Sequence, residues 1–194
     1  MKKLILAGLI AAACATPAFA ALTAGDAAPD FTLKGSLGGK NFTFNLKSAL
    51  AKGPVVVYFF PSAYTGGCDA EAHAFAEDAD KFTAAGASII GVSGDQLERL
   101  HTFSADPAFC AGKFPVASDA DGKIATSFKL NVGKAREGAK DNKGQELNHV
   151  LIERVTYVLG RDGKVLATMS SAQDKLSPVE HVEKSLAMVA SLKR

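Results

Sequence analysis

The chain has 194 residues, 47% hydrophobic and 22% charged, with a formal net charge of +2 and three cysteines. That composition supports one domain with a sizeable core and excludes a disordered, collagen-like or low-complexity chain. The near-neutral charge argues against an electrostatics-led nucleic-acid binder, and three cysteines are too few for a disulfide-dense mini-scaffold or a four-cysteine zinc module.

Residues 1–20 read as a secretory signal peptide. Lys2 and Lys3 form a basic start, Leu4 to Ala13 is an unbroken apolar run, and Ala18-Phe19-Ala20 supplies a small-x-small cleavage pattern. The run is too short to span a bilayer, which needs roughly 20 residues. Residues 21–194 are therefore expected to form a soluble exported domain, in a bacterial periplasm. Ala11-Ala12-Ala13-Cys14 is also a permissive lipoprotein box, but the site at Ala18-Phe19-Ala20 is better formed. Two lysines and no acid leave with the leader, so 20 basic residues then face 20 acidic ones. Cys68 and Cys110 remain, and such a pair in an exported protein reads first as a disulfide.

Val55 to Phe60 is a β-prone run without polar alternation, closed by Pro61, which suits a strand buried on both faces. Ser62 to Gly67 is a loop. From Cys68 a helix is predicted with Phe75, Ala79 and Phe82 on one face, stopped by Gly86. Ala87 to Val92 is a second buried strand. Asp95 is expected to cap a helix from Gln96 to about Ala105. Gly122 to Phe128 is a short helix, and Asn131 to Leu147, polar and Lys-rich, a long solvated surface loop. Arg154–Leu159 and Val165–Met169 are strands joined by an Arg161-Asp162-Gly163 turn. Pro178 opens a last helix through Leu192, with Val182, Leu186 and Val189 inward. The alternation of strand and helix predicts an α/β fold, a single domain without repeats or linkers.

Chemistry concentrates in Pro61-Ser62-Ala63-Tyr64-Thr65-Gly66-Gly67-Cys68, between a buried strand and a helix start. Unpaired N–H groups and the helix dipole favour a thiolate there. Gly66 and Gly67 admit close approach of a substrate to the backbone, and the Thr65 hydroxyl both donates and accepts.

This octapeptide resembles the active-site motif Pro-x-x-x-Thr/Ser-x-x-Cys of the peroxiredoxins, thiol peroxidases of thioredoxin fold. Arg154-Val155-Thr156-Tyr157-Val158-Leu159 is similar to the strand that carries their distant active-site arginine, and Gly25 to Leu33 to their opening segment. Glu71 matches an acidic position of the bacterioferritin-comigratory, or peroxiredoxin Q-like, branch. Gly66 stands where that branch usually has Pro, and His73 where it often has a second Cys.

The resemblance implies a thioredoxin-like fold with a central mixed β-sheet flanked by helices. It implies that Cys68 attacks a peroxide, held by Thr65, Gly67, the Cys68 amide and Arg154 and walled by Pro61. A sulfenic acid forms and is resolved by Cys110 through an intramolecular disulfide. No cofactor or metal is required. The expected partners are the peroxide and a thiol reductant, thioredoxin-like or glutathione-based, acting on a monomer or weak dimer.

A free thiol of pKa about 8.5 is roughly 3% ionised at pH 7. The helix end and Arg154 are expected to lower that pKa to about 6, a gain of only about thirtyfold, so donors must supply the rest.

Plainer readings stand beside these. Cys68 and Cys110 form a structural disulfide; Glu71 is a first-turn acid complementing the dipole; His73, His101, His149 and His181 are ordinary surface residues. Two rival functions are a disulfide exchanger, which lacks Cys-x-x-Cys, and a copper-delivery module, for which Ala72 stands where a second Cys is needed.

Overall fold

The computed structural model describes residues 21–193. The leader and the Cys14 box lie outside the described residues. The first half contains β1 (Thr32–Leu37), β2 (Lys40–Asn45), α1 (Leu46–Leu50), β3 (Val55–Phe59), α2 (Gly66–Ala84), β4 (Ser88–Ser93) and α3 (Leu97–Ala105). The second contains β5 (Val116–Ser118), α4 (Lys123–Ser127), β6 (Val132–Lys134), β7 (Val150–Ile152), β8 (Val155–Leu159), β9 (Val165–Ser170), α5 (Ser171–Asp174) and α6 (Pro178–Ser191).

The seven-stranded sheet runs β2-β1-β5-β4-β3-β8-β9. β3 pairs parallel with β4 and antiparallel with β8, so the sheet is mixed, as expected. Every residue of β3 is buried. Alternation along the strand sends Val55, Val57 and Phe59 into one core layer, and Val56 and Tyr58, with the following Phe60, into the other. Cys68 and Cys110 belong to the second layer, together with Phe75, Phe103 and Phe114. Gly91 of β4 is required there: a Cβ would sit 2.6 Å from the Tyr58 ring.

The ends of the helices follow the local chemistry. α2 stops where Gly86, at φ 76°, adopts the left-handed conformation and Ala87 N donates back to the Phe82 carbonyl. α6 opens on a capping box between Ser177 and Glu180, with Pro178 in its first turn. The Arg161-Asp162-Gly163 turn joins β8 to β9 as expected, with Gly163 at φ 77°.

Three expectations change. Thr65 is the N-cap of α2, so the helix begins at Gly66 and Cys68 is its third residue. Gln96, not Asp95, caps α3, because the Asp95 carboxylate turns into the core to hold the 62–63 loop. The 131–147 segment is not only a solvated loop: β6 pairs with β7, and Asp141 is buried against Arg99.

Candidate active site

β3 delivers the chain to Pro61, and the loop to Thr65 is then fixed by charge. Asp95, fully buried, accepts from Ala63 N at 2.8 Å, from Ser93 Oγ at 2.9 Å and from Ser62 Oγ at 3.2 Å. Arg99 Nε lies 2.8 Å from Asp95 and His149 Nε2 3.2 Å away. Arg99 also donates to the Ala63 carbonyl at 2.8 Å and to Gln145 Oε1 at 2.6 Å, and pairs with Asp141. A buried carboxylate is tolerated because the Ala63, Ser93 and Ser62 donors, with the Arg99 charge beside them, replace its hydration.

Tyr64, next in the loop, holds φ 58°, which is uncommon for a bulky residue. Its ring lies beneath Lys143 (3.5 Å to the centroid) and near Arg99 (5.0 Å), and its carbonyl accepts from Asn142 N at 2.8 Å. Asn142 Nδ2 reaches Asp69 at 3.0 Å. The 139–147 segment therefore straps the start of α2.

Thr65 donates its hydroxyl proton to the Ser62 carbonyl at 2.8 Å, which leaves its lone pairs for the site. The Cys68 amide is already used: it donates to the Thr65 carbonyl at 2.8 Å. That corrects the expectation that it is free for a substrate. The Gly67 amide lies in the first turn of α2, where intrahelical acceptors are lacking. A Cβ at Gly67 would stand 3.2 Å from Arg154 Nη2 and 3.3 Å from Pro178 Cγ, so glycine is what admits the guanidinium to the helix end.

Arg154 precedes β8. Its Nη2 donates to Cys68 Sγ at 3.1 Å, and its Nη1 donates to Glu71 Oε2. Glu71 is fully buried, not a surface acid of the first helical turn. Burial pushes its pKa up to about 7 against the pull of Arg154. Thr156 Oγ1 lies 3.5 Å from Glu71 Oε1 and 2.9 Å from His181 Nδ1; His181 Nε2 meets Ser171 Oγ at 3.0 Å. His181 is fully buried, and burial, with Arg154 adding, holds its pKa down to about 4. His149 is also largely enclosed, at 6% side-chain exposure, so two of the four histidines are not surface residues.

Cys68 is only 2% exposed, and burial pushes its thiol up from the ordinary value. Arg154 draws it down without overcoming that cost. The expected depressed thiol is thus corrected: desolvation of the anion outweighs the helix end and the guanidinium. Cys110 is fully buried as well. Burial, then Asp106 and Asp69, hold its thiol well above the ordinary value. Both cysteines are free thiols, not a structural disulfide. The Tyr58 hydroxyl is within electrostatic reach of both and finds no hydrogen-bond partner among the described residues.

Pro61, Thr65, Gly67, Cys68 and Arg154 are thus gathered at one end of β3, with Cys110 in the adjoining core. Sequence reasoning did not find Tyr64, Asp95, Thr156 or His181. For His181 a signal existed: it shares an inward stripe with Ser185 and Val189 at helical spacing, where a polar residue needs a partner.

A thiol at the start of a helix, beside a guanidinium, on a mixed sheet flanked by helices defines a thiol-dependent oxidoreductase of thioredoxin-like fold. Comparison with known proteins narrows the class. The model of the AhpC/TSA family matches residues 24–168. A Mycobacterium tuberculosis protein named as a peroxiredoxin is 34% identical over 164 residues, covering 84% of this chain and 92% of that one. The chloroplastic peroxiredoxin Q of Sedum lineare is 31% identical over 175 residues, covering 90% and 82%. Among solved structures, peroxidoxin BcpB from Mycobacterium tuberculosis superposes with a TM-score of 0.70 at 29% identity, covering 88% of this chain and 97% of that one. The bacterioferritin comigratory protein of Xanthomonas campestris gives 0.63 at 28%, covering 84% and 92%. The chain belongs to the AhpC/TSA family: it is a peroxiredoxin, a thiol peroxidase.

Proposed function

We propose that Cys68 is the peroxide-reducing thiol of an exported two-cysteine peroxidase and that Cys110 resolves it. The observation that carries the first half is the 3.1 Å contact of Arg154 with Cys68 Sγ at the opening of α2. The sulfur attacks one peroxide oxygen: an S–O bond forms, the O–O bond breaks, and the leaving oxygen takes a proton to become water or an alcohol. Thr65 accepts from the peroxide O–H, while the Gly67 N–H and Arg154 stabilise the charge on the breaking bond. Because burial holds the resting thiol neutral, the rate leans on these donors rather than on a standing thiolate.

Cys110 sulfur then attacks the Cys68 sulfenic sulfur; an S–S bond forms, the S–O bond breaks and water leaves. A disulfide requires the two Cα atoms within about 7 Å, and a thiol as buried as Cys110 must first be released. The 106–113 segment is suited to opening, with Ala111 and Gly112 at positive φ and exposed. A thioredoxin-like or glutathione-based thiol returns the disulfide to two thiols. The structure of the Xanthomonas campestris relative was described for alkyl peroxide reduction, which favours testing organic hydroperoxides beside hydrogen peroxide. Export rests on the leader alone, and cell fractionation tests it.

The central test reduces the protein, adds one equivalent of peroxide and follows intact mass and free thiols by rapid quench. Loss of both thiols in wild type, sulfenic acid in Cys110→Ser and inertness in Cys68→Ser are expected. Turnover of Cys110→Ser with a thiol reductant at the wild-type rate, or loss of only one thiol in wild type, removes the resolving role, and equal oxidation of Cys68→Ser and wild type removes the first.

A further inference from the structure

Behind Arg154 lies a buried chain of hydrogen bonds whose direction can be worked out from its far end. Ser171 Oγ is 3.0 Å from the Leu176 carbonyl, which only accepts, so Ser171 donates there. Having spent its proton, Ser171 accepts at 3.0 Å from His181 Nε2–H. A neutral imidazole carries one proton, so His181 Nδ1 is the bare nitrogen. It accepts from the Thr156 hydroxyl at 2.9 Å. The heavy atoms alone, Thr156 Oγ1 3.5 Å from Glu71 Oε1, would suit donation from Thr156 to a carboxylate. With its single proton given to His181 Nδ1 instead, Thr156 offers Glu71 only a lone pair, and a carboxyl facing a lone pair is best satisfied by carrying a proton.

We infer that His181, acting through Thr156, is a positioning residue that keeps Glu71 protonated, so that Arg154 presents its charge undiminished to Cys68. The inference rests on the reading of Cys68 as the reactive thiol. An ionised Glu71 would neutralise Arg154 from behind; a neutral one still accepts its N–H through Oε2 while leaving the net charge for the sulfur and the peroxide. The surroundings agree. Glu71 faces Arg154 before β8, Thr156 on β8, Cys68 on its own helix, Tyr58 on β3 and His181 on α6. His181 faces Arg154, Asp174 on α5 and Glu180 on α6, and burial together with Arg154 keeps it neutral.

Three measurements on the purified protein test this. Nitrogen NMR of wild type near pH 6 should show His181 as the Nε2–H tautomer; an Nδ1–H tautomer or an imidazolium overturns the inference. Infrared spectroscopy at pH 6 should show a protonated-carboxyl band that Glu71→Gln removes. That band should weaken in His181→Leu, where Thr156 is freed to donate to Glu71, and return in the double variant Thr156→Val/His181→Leu, where no hydroxyl remains. The second-order rate with peroxide should fall on the order of tenfold in His181→Leu, the equivalent of one unit in the thiol pKa, and recover in the double variant. A purely structural role predicts that the double variant is worse than the single one, and that result overturns the inference. If His181→Leu does not fold, the wild-type tautomer and the Glu71 band still decide. They do so even if Cys68→Ser retains full peroxidase activity, which would sink the functional reading instead.

Discussion

The two cysteines lie in one core layer and are both buried, yet they are held by different means. The Cys68 segment is fixed from a distance: Asp95 and Arg99 grip residues 62–63, the 139–147 strap bonds Tyr64 and Asp69, and Arg154 reaches the sulfur. The Cys110 segment takes its hydrogen bonds mostly from itself and the adjoining α3, with Phe109 also edge-on to Tyr64 at 5.5 Å and Lys113 3.7 Å from Asp80. Asp106 N bonds Thr102, Ala111 N bonds Asp106, Gly112 N bonds Ser104, and Phe109 stacks on Phe103 at 5.1 Å. Contacts supplied from several elements must be broken together, whereas a turn whose hydrogen bonds are local opens with fewer of them lost. If Cys110 resolves Cys68 as proposed, this division keeps one thiol in register and lets the other come to it.

The largest way to break the contrast is Asp95→Ala. It strips Ala63 N, Ser62 and Ser93 of their buried acceptor and leaves Arg99 with Asp141 as its one carboxylate, and should cost about 1–3 kcal/mol of stability, read by denaturant unfolding. The same variant should bring hydrogen exchange at residues 62–69 to the rate of 106–113; unchanged exchange there would show that the clamp is redundant. Arg154→Gln should slow sulfenic acid formation on the order of 10²–10³-fold, measured by single-turnover quench, while leaving exchange at 106–113 as it was. Asn142→Ala removes one exposed bond to Asp69 and should cost about 0.5–1 kcal/mol, seen as faster exchange at residues 64–69 only.

The smallest expected effect is a cancellation. Glu71 has a folded pKa of about 7, above the ordinary 4.5, so the stability it contributes is present below about 4.5 and lost as pH rises through about 7. His181 has a folded pKa of about 4, below the ordinary 6.5, so its contribution is present above about 6.5 and lost as pH falls toward about 4. Between pH 4.5 and 6.5 the two slopes oppose each other. Glu71→Gln should therefore uncover stability that rises with pH across that window, measured by denaturant midpoints; a slope equal to wild type would show that the two groups are not offset.

Much of this was legible in the sequence wherever a pattern was local. Val55 to Phe60, the Gly86 stop, the turn at Gly163 and the Ser177-Pro178 helix start carry their signals within a few residues. β1 and β2 did not stand out as strands because they mix Gly, Lys, Asn and Thr with their apolar positions, β2 being the edge strand and β1 its inner neighbour. β6 was missed because its partner β7 begins sixteen residues after β6 ends, and no local rule announces that pairing. In the site, Pro61, Thr65, Gly67 and Cys68 form one short motif, and Arg154 opens a recognisable strand. The direction of the Cys68 shift was misjudged because charges can be read from sequence and desolvation cannot. Asp95 and His181 were misjudged because their partners come from elements that meet only in the fold.

The placement of the tyrosines has an optical consequence. The chain has three tyrosines and no tryptophan. Tyr58 and Tyr64 share the layer that holds both thiols, while Tyr157 lies in the opposite one. Emission excited at wavelengths too long for phenylalanine therefore comes from tyrosine alone, with two emitters in the layer of both sulfurs and a third behind the sheet. If both sulfurs react as proposed, the first two are the ones whose brightness turnover should change, with the third as an internal standard.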